Sequence, residues 1–179
     1  MFFKELETER LILRQFKADD AGAAVYNSQR PVVAHFMSDM VLLDEESARN
    51  WIDWINGRFN TEEPFIVFAI ELQETNTCIG LIGLAPKQEL DNEIEILFSI
   101  ADEYHGKGYA TEAGKALLAW AFKNCNIDYL VALVKLDNRA SGKVIEKLGF
   151  IKTEKRTIGY DGVPTVFSYF RLMKNRRIP

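Results

Sequence analysis

A chain of 179 residues with 22 Lys and Arg against 26 Asp and Glu carries a net charge of −4 and an isoelectric point near 5.3. That balance argues against a nucleic-acid binder, whose domain presents a basic face. With 47% hydrophobic and 27% charged residues, the composition is that of a globular protein long enough to bury a core, read as one domain over residues 1–179.

Met1-Phe2-Phe3-Lys4-Glu5 lacks the basic and then apolar pattern of an export signal, and no apolar run approaches the ~20 residues of a membrane span. The expectation is a cytoplasmic protein with no membrane partner. Leu11-Ile12-Leu13-Arg14 reads as a short strand. Asp19 and Asp20 then open a helix to about Asn27, their charge suiting its N-terminus. His35 falls in a loop with a surface or capping role, while Phe36, Met37 and Met40 either pack between helices or line a pocket. A second helix begins near Asp44-Glu45-Glu46 and runs to about Phe59. Its Trp51, Trp54 and Ile55 form an apolar stripe, for packing or for the wall of an acceptor pocket.

Three strands follow at Phe65–Glu71, Cys78–Leu84 and Glu93–Ile100, separated by polar turns at Gln73–Thr77 and Pro86–Asn92. Their spacing predicts an antiparallel meander. Next come a helix over Thr111–Lys123 with Ala113, Ala116, Leu117, Trp120 and Ala121 on one face, a strand over Tyr129–Lys135, and a helix over Asn138–Leu148 closed by Gly149. Ile151–Tyr160 and Val166–Met173 make a final hairpin about Asp161-Gly162. The order predicts an α/β fold with a mixed, mostly antiparallel twisted sheet flanked by helices. Cys78 and Cys125 are too few for a metal cluster or a disulfide framework and read as buried apolar residues, so no metal is expected. The basic tail Lys174-Asn175-Arg176-Arg177 reads as a solvated end.

The most informative stretch is His105-Gly106-Lys107-Gly108-Tyr109-Ala110-Thr111-Glu112-Ala113, between the strand at Glu93–Ile100 and the helix after it. A glycine-rich turn entering a helix aims several unpaired N–H groups at one point, and the helix dipole adds positive charge there. Such a turn suits a phosphate or pyrophosphate. About 30 residues later come Asp137-Asn138-Arg139-Ala140-Ser141 and Ile145-Glu146-Lys147-Leu148-Gly149-Phe150.

Together these segments resemble the GNAT superfamily of acyl-CoA-dependent N-acetyltransferases. With Leu6-Glu7-Thr8-Glu9-Arg10-Leu11-Ile12-Leu13-Arg14 they resemble its RimJ/RimL branch of ribosomal-protein N-terminal acetyltransferases. The resemblance implies acetyl-CoA as cosubstrate, with its pyrophosphate on the loop from His105 through Gly106, Lys107, Gly108, Tyr109 and Ala110 to Thr111. His105 stands where the superfamily carries Arg or Gln. The run Ile96-Leu97-Phe98-Ser99-Ile100 matches the splayed strand whose main chain bonds the pantetheine, with an amide near Phe98 facing the thioester carbonyl. Asn138 and Ser141 match an Asn-x-x-Ser pattern that contacts the pantetheine arm; read without the family, Asn138 is a helix cap.

The reaction needs a neutral amine to attack a thioester and a thiolate to leave. An α-amine of pKa near ~7.8 is ~10% neutral at pH 7 and a lysine near ~10.4 only ~0.04%, so the former needs little help from a base. Glu95 matches the superfamily's base, acting directly or through a water, with Glu93 two residues earlier as a substitute. The Tyr that protonates the thiolate in many members is replaced by Ile145. That leaves Ser141 as a donor, with Tyr104, Tyr109 and Tyr160 as alternatives. The acceptor implied is a protein N-terminal α-amine. Alternatives are a small-molecule amine (a polyamine, aminoglycoside or amino acid) and a non-catalytic CoA-binding module. A homodimer is compatible with the sequence.

Overall fold

The structure is a computed structural model and describes residues 5–160 and 162–175. Its frame is an eight-stranded sheet: β1 (Leu6–Glu7), β2 (Leu11–Arg14), β3 (Ile66–Leu72), β4 (Thr77–Lys87), β5 (Glu93–Ile100), β6 (Tyr129–Lys135), β7 (Ile151–Tyr160) and β8 (Val163–Met173). The spatial order is β1-β2-β3-β4-β5-β6-β8-β7. Neighbours are antiparallel except β5 and β6, which run parallel. The meander and the final hairpin form as expected. Of the expected hairpin turn, Gly162 lies in the left-handed region (φ +74°), whereas Asp161 lies outside the described residues, as do Arg176 and Arg177 of the basic tail.

Among the described residues, five α-helices cover the sheet: α1 (Ala21–Ser28), α2 (Pro31–Phe36), α3 (Glu45–Gly57), α4 (Tyr109–Asn124) and α5 (Arg139–Lys147). On one face, Ala113, Leu117, Leu118 and Ala121 of α4 and Ile145 of α5 pack with Phe68, Ile82, Ile96 and Leu130. The predicted apolar face of α4 is the one buried, with Ala116 and Trp120 packed at its margin. On the other face, Ala21 and Ala24 of α1 and Ala48, Ile52 and Ile55 of α3 meet Val67, Ala69 and Cys78. α3 starts at a reciprocal cap: Asp44 Oδ1 accepts from the Ser47 N–H (2.8 Å), and Ser47 Oγ accepts from the Asp44 N–H (3.1 Å). Cys78 and Cys125 are free and buried, and burial pushes the Cys78 thiol up to about 11.

The structure corrects three expectations and decides a fourth that was left open. His35 lies in a helix, α2, opened by Pro31 at its first turn, not in a loop. β4 runs on through Pro86, where a turn was expected. Ala101 donates to the Ile79 carbonyl (2.9 Å), so Pro86–Ile94 is a pair without hydrogen bonds. It also lies beyond the Ile66–Leu84 end of β3, so no rung needs the missing proline N–H. The stripe on α3 is packing: Trp51 lies edge-on to Phe16 at 5.2 Å, and half-exposed Trp54 sits under the Arg58 guanidinium at 4.5 Å. Finally, Asp19 and Asp20 lie in a single 3-10 turn ahead of α1, where Asp20 serves a buried ion pair.

That ion pair belongs to a cluster under α1. Arg14, only 4% exposed, reaches Asp20 through Nη1 (2.7 Å) and Nη2 (2.9 Å) and Glu71 through Nε (2.6 Å). Burial alone would lower the Arg14 pKa, but the bonds to both carboxylates outweigh it and hold the cation charged. Likewise burial would raise Asp20, and its bonds to Arg14 and the Lys17 N–H leave it below the usual carboxylate range. Arg14→Leu strands two buried carboxylates, so stability should fall by about 3–5 kcal/mol in urea unfolding. A loss below ~1 kcal/mol would show that the cluster is not a structural anchor.

Candidate active site

β5 and β6 touch and then part. The parallel rung between them pairs Glu95 with Val131, and it is the sole rung recorded among the described residues. Beyond it, Ile96–Ile100 and Ala132–Lys135 diverge and line the two sides of a cleft of about 570 Å³. The alternation set by the Ala101–Ile79 bond turns the main-chain groups of Leu97 and Ser99 toward β4. Those of Ile96, Phe98 and Ile100 face the gap. β5 is held close to β4 at this point: a Cβ on Gly80 would lie 2.1 Å from the Ser99 carbonyl oxygen.

The glycine turn closes one end of the cleft. Gly106 (φ +74°) and Gly108 (φ +86°) both adopt the left-handed conformation, which L residues rarely tolerate. The first bond of α4 runs from the Glu112 N–H to the Gly108 carbonyl (3.0 Å). The N–H groups of Tyr109, Ala110 and Thr111 therefore precede the first rung of the helix. All three residues line the cleft, with His105, Gly106 and Gly108. His105 turns its side chain back onto β5, Nε2–H donating to the Ile100 carbonyl (2.6 Å), so it ties the loop to the strand. Lys107 does not line the cleft: its ammonium stands 5.3 Å from the Tyr104 ring centroid, and its carbonyl accepts from Arg10 Nη1 (3.0 Å).

Behind the loop sits a clamp that sequence reasoning missed. Glu112 accepts from the Thr8 hydroxyl (2.7 Å), the Arg10 N–H (2.8 Å) and Arg10 Nε (2.7 Å), and pairs with Arg10 Nη2 (2.6 Å). The Arg10 guanidinium also stacks on Tyr109 at 4.5 Å. One carboxylate thus pins the β1–β2 turn to the first turn of α4. The signal was a Glu in a helix's first turn, without any hint of its partner.

On the far side, Asn138 Oδ1 accepts the Ser141 N–H (3.0 Å), so its oxygen caps α5. Asn138 and Ser141 line the cleft together with Lys143 and Lys147, two cations not singled out beforehand. Ile145 is buried and also reaches the lining. Tyr104, Tyr109 and Tyr160 all lie on the wall, as do Phe36, Met37 and Met40. That wall of the cleft is therefore α2 and the turn after it, and no residue of α3 lines it. That segment is tied across the cleft: Tyr160 donates to Asp39 (2.6 Å) and lies within 3.3 Å of the Phe36 carbonyl, and Lys135 Nζ donates to the His35 carbonyl (2.9 Å).

Glu95 stands where the strands part, its Oε1 accepting from the Leu133 N–H (3.2 Å). Burial is the main cause that pushes its carboxyl up to about 7; Lys87 and the Leu133 bond pull it back, and Asp39 and Glu89 add to the rise. Glu93 is differently placed. It accepts from the Tyr169 hydroxyl (2.8 Å), Arg171 (3.0 Å) and Arg156 (3.1 Å). Burial would raise it, but those partners hold it below its ordinary value, so it is no stand-in for Glu95.

Residues 10–151 match the family model of the acetyltransferase (GNAT) domain. The chain belongs to the GNAT acetyltransferase family. It is 31% identical over 147 residues to the uncharacterised N-acetyltransferase p20 of Bacillus licheniformis, covering 82% of both chains. It is 32% identical over 71 residues to the spermidine N(1)-acetyltransferase of Escherichia coli, 40% of this chain and 38% of that one. The ribosomal-protein-S5-alanine acetyltransferase of Vibrio fischeri shares the fold, with a TM-score of 0.78, 19% identity, and coverage of 99% and 100%. This GNAT protein is thus an acetyltransferase of a family that uses acetyl-CoA and an amine acceptor. Among its described residues no helix is long and apolar enough to cross a membrane.

The raised Glu95 pKa has a thermodynamic sign. Its folded value, about 7, lies above the ordinary 4.5, so the folded state holds its proton longer. Stability is therefore lost progressively as pH rises from about 4.5 to 7 and is flat above. Glu95→Gln removes that loss. The variant's stability relative to the parent should climb across this window by on the order of 2 kcal/mol and stay level from pH 7 to 9. A difference independent of pH would mean that Glu95 is not a buried, titrating carboxyl.

Proposed function

We propose that this acetyltransferase transfers an acetyl group to an N-terminal α-amine of a protein, as a RimJ/RimL-type enzyme. We place it in the cytoplasm, whose reducing conditions suit two free buried cysteines. The observation that carries the reading is the poise of Glu95. A base near 7 is matched to an α-ammonium near ~7.8, whereas a lysine near ~10.4 lies three decades uphill. Charge at the acceptor end supports it. Lys87 and Lys135 both stand over the Tyr160 ring, at 5.8 and 4.5 Å, and Asp39 is engaged by the Tyr160 hydroxyl. A polyamine would meet like charge there.

Acetyl-CoA fits the residues present. The N–H groups of Tyr109, Ala110 and Thr111, ahead of the first rung of α4, suit a pyrophosphate, and Lys143 and Lys147 offer cations for its phosphates. The gap-facing main chain of Ile96 and Phe98 suits the amides of the pantetheine arm. When bound, the cosubstrate supplies an acyl group on a thiol of low enough pKa to leave as thiolate. The chain's own residues do the rest. Glu95, as the carboxylate, would take a proton from the acceptor's ammonium and leave the neutral amine that attacks the thioester. The Phe98 N–H, which faces the gap, would stabilise the charge that develops on the thioester oxygen, a contribution of about 3–4 kcal/mol for one such donor. Ser141, on the lining at the start of α5, would be the donor to the departing sulfur.

Three measurements test this. Gly108→Ala forces a Cβ onto a residue at φ +86°, straining the loop by about 1–2 kcal/mol, and should weaken acetyl-CoA at least ~10-fold in calorimetry. Gly57→Ala, whose Cβ meets nothing within 4 Å, should leave affinity unchanged. Equal affinities would remove the loop from the cosubstrate site. Glu95→Gln should lower kcat ~10²-fold at unchanged acetyl-CoA affinity and abolish the limb of the pH–rate profile near 7. A retained limb would transfer the base role elsewhere. Among acceptors, peptides with a free α-amine should exceed N-blocked lysine peptides in kcat/KM by roughly the ratio of their neutral fractions, at least ~10²-fold. A preference for spermidine would overturn the acceptor assignment.

A further inference from the structure

The cleft has two walls that belong to distant parts of the chain, and Arg30 joins them. Arg30 is the cap residue of α2, and its carbonyl accepts the Ala34 N–H (2.8 Å). α2 and the turn after it supply Val33, Phe36, Met37 and Met40 to the acceptor side. Asp102 opens the 3-10 turn that leads into the glycine loop, and its carbonyl accepts the His105 N–H (3.0 Å). Arg30 Nη2 lies 3.3 Å from Asp102 Oδ2. The far end of the α2 segment is tied to β6 and β7 through Lys135 and Tyr160. The segment is thus a strap across the mouth of the β5–β6 gap, anchored at the loop by one ion pair.

That ion pair is one bond short. Arg30 Nε and Asp102 Oδ1 are both buried, and neither has a hydrogen-bond partner among the described residues. The guanidinium stacks on Tyr26 at 5.1 Å, which holds its plane. A guanidinium and a carboxylate pair best as two parallel bonds. Here the second donor and the second acceptor sit in the same pair, both out of water and both unmade, an arrangement that costs free energy until they meet.

We propose that Arg30 is a positioning residue that couples the acetyl-CoA loop to the acceptor wall, in an inference that rests on the acetyl-CoA reading of that loop. Occupation of the loop fixes the turn at Asp102. The Nε–Oδ1 bond then forms beside the Nη2–Oδ2 contact, and α2 is drawn into the position that completes the acceptor side. The acceptor therefore meets a finished wall only after the cosubstrate has bound, and the two affinities are linked in both directions.

Hydrogen exchange with coenzyme A as the probe reads this without turnover. In the parent protein, coenzyme A should slow exchange both in the loop (residues 104–112) and in the strap (31–40), each at least ~3-fold. Arg30→Gln and Asp102→Asn should keep the slowing in the loop and lose it in the strap. Arg30→Lys, which keeps the charge but lacks the fork, should lose it as well. The loop peptides report in the same experiment whether each variant is folded and binds. Strap protection at the parent level in these variants, or a protected loop beside an unprotected strap in the parent, would overturn the coupling while leaving the acetyl-CoA site intact. An unprotected loop in the parent would remove the acetyl-CoA reading, and the coupling with it.

Discussion

The parting of β5 from β6 after Glu95 and Val131 is the constraint on which the rest of the molecule is arranged. A parallel pair inside a sheet ordinarily satisfies its main chain rung by rung, and buried peptide groups without partners are costly. Here Ile96 and Phe98 turn main-chain groups into a gap, and the Ile100 carbonyl that faces it is taken by His105. Such an edge persists only where neighbours hold the strand from the other side and something with amides of its own can take the vacated rungs. β4 supplies the first condition along the full length of β5, and the close approach at Gly80 keeps that seam tight. The helices supply the rest. Because β5 and β6 run parallel, α4 and α5, which follow them, flank the C-terminal end of the gap from its two sides, and the α2 segment lines its mouth.

Charge placement follows from the same need to hold an open sheet in shape. The Arg14, Asp20 and Glu71 cluster fixes the chain that leads from β2 into α1, and hence the base of the strap. Glu112 fixes the β1–β2 turn against α4, and Arg10 reaches from there to the Lys107 carbonyl, bracing the loop from outside the cleft. Glu93 and Glu95, two residues apart on one strand, end in opposite electrostatic states. One is surrounded by Arg156, Arg171 and Tyr169 and stays ionised; the other is desolvated and titrates near 7. Strand alternation puts both on one face, but only their neighbours from β6, β7 and β8 separate their chemistry.

The sequence was legible where function or packing repeats locally. β5 and β6 fall on the residues that their apolar runs marked, and α4 buries the face that its periodicity marked. The glycine turn was legible because its left-handed main chain at Gly106 and Gly108 favours glycine whatever surrounds it. α2 escaped because six residues hold less than two helical turns, too few to show a period, although Pro31 was a start signal. β4 was cut short at Pro86 because a proline argues against a strand until the partner's hydrogen-bond phase is known. The Arg10–Glu112 and Arg30–Asp102 pairs join residues far apart in sequence, and no local pattern announces such partners. Lys143 and Lys147 read as ordinary surface residues of α5 until the cleft is seen beside them.

The two halves of the cleft are therefore built by different means, with consequences for how such an enzyme changes. The half proposed for acetyl-CoA is built from the backbone of β5, the glycine loop and the first turn of α4. Side-chain substitution leaves those groups in place so long as the two left-handed glycines remain. The acceptor half relies on side chains from a six-residue helix and its following turn, held by a few polar ties to Asp102, Lys135 and Tyr160. Replacing Phe36, Met37 or Met40 reshapes that wall without disturbing a rung of the sheet. If the α2 segment is the acceptor wall, as proposed, its anchors at Asp102, Lys135 and Tyr160 are where substitution would alter acceptor choice with the sheet left intact.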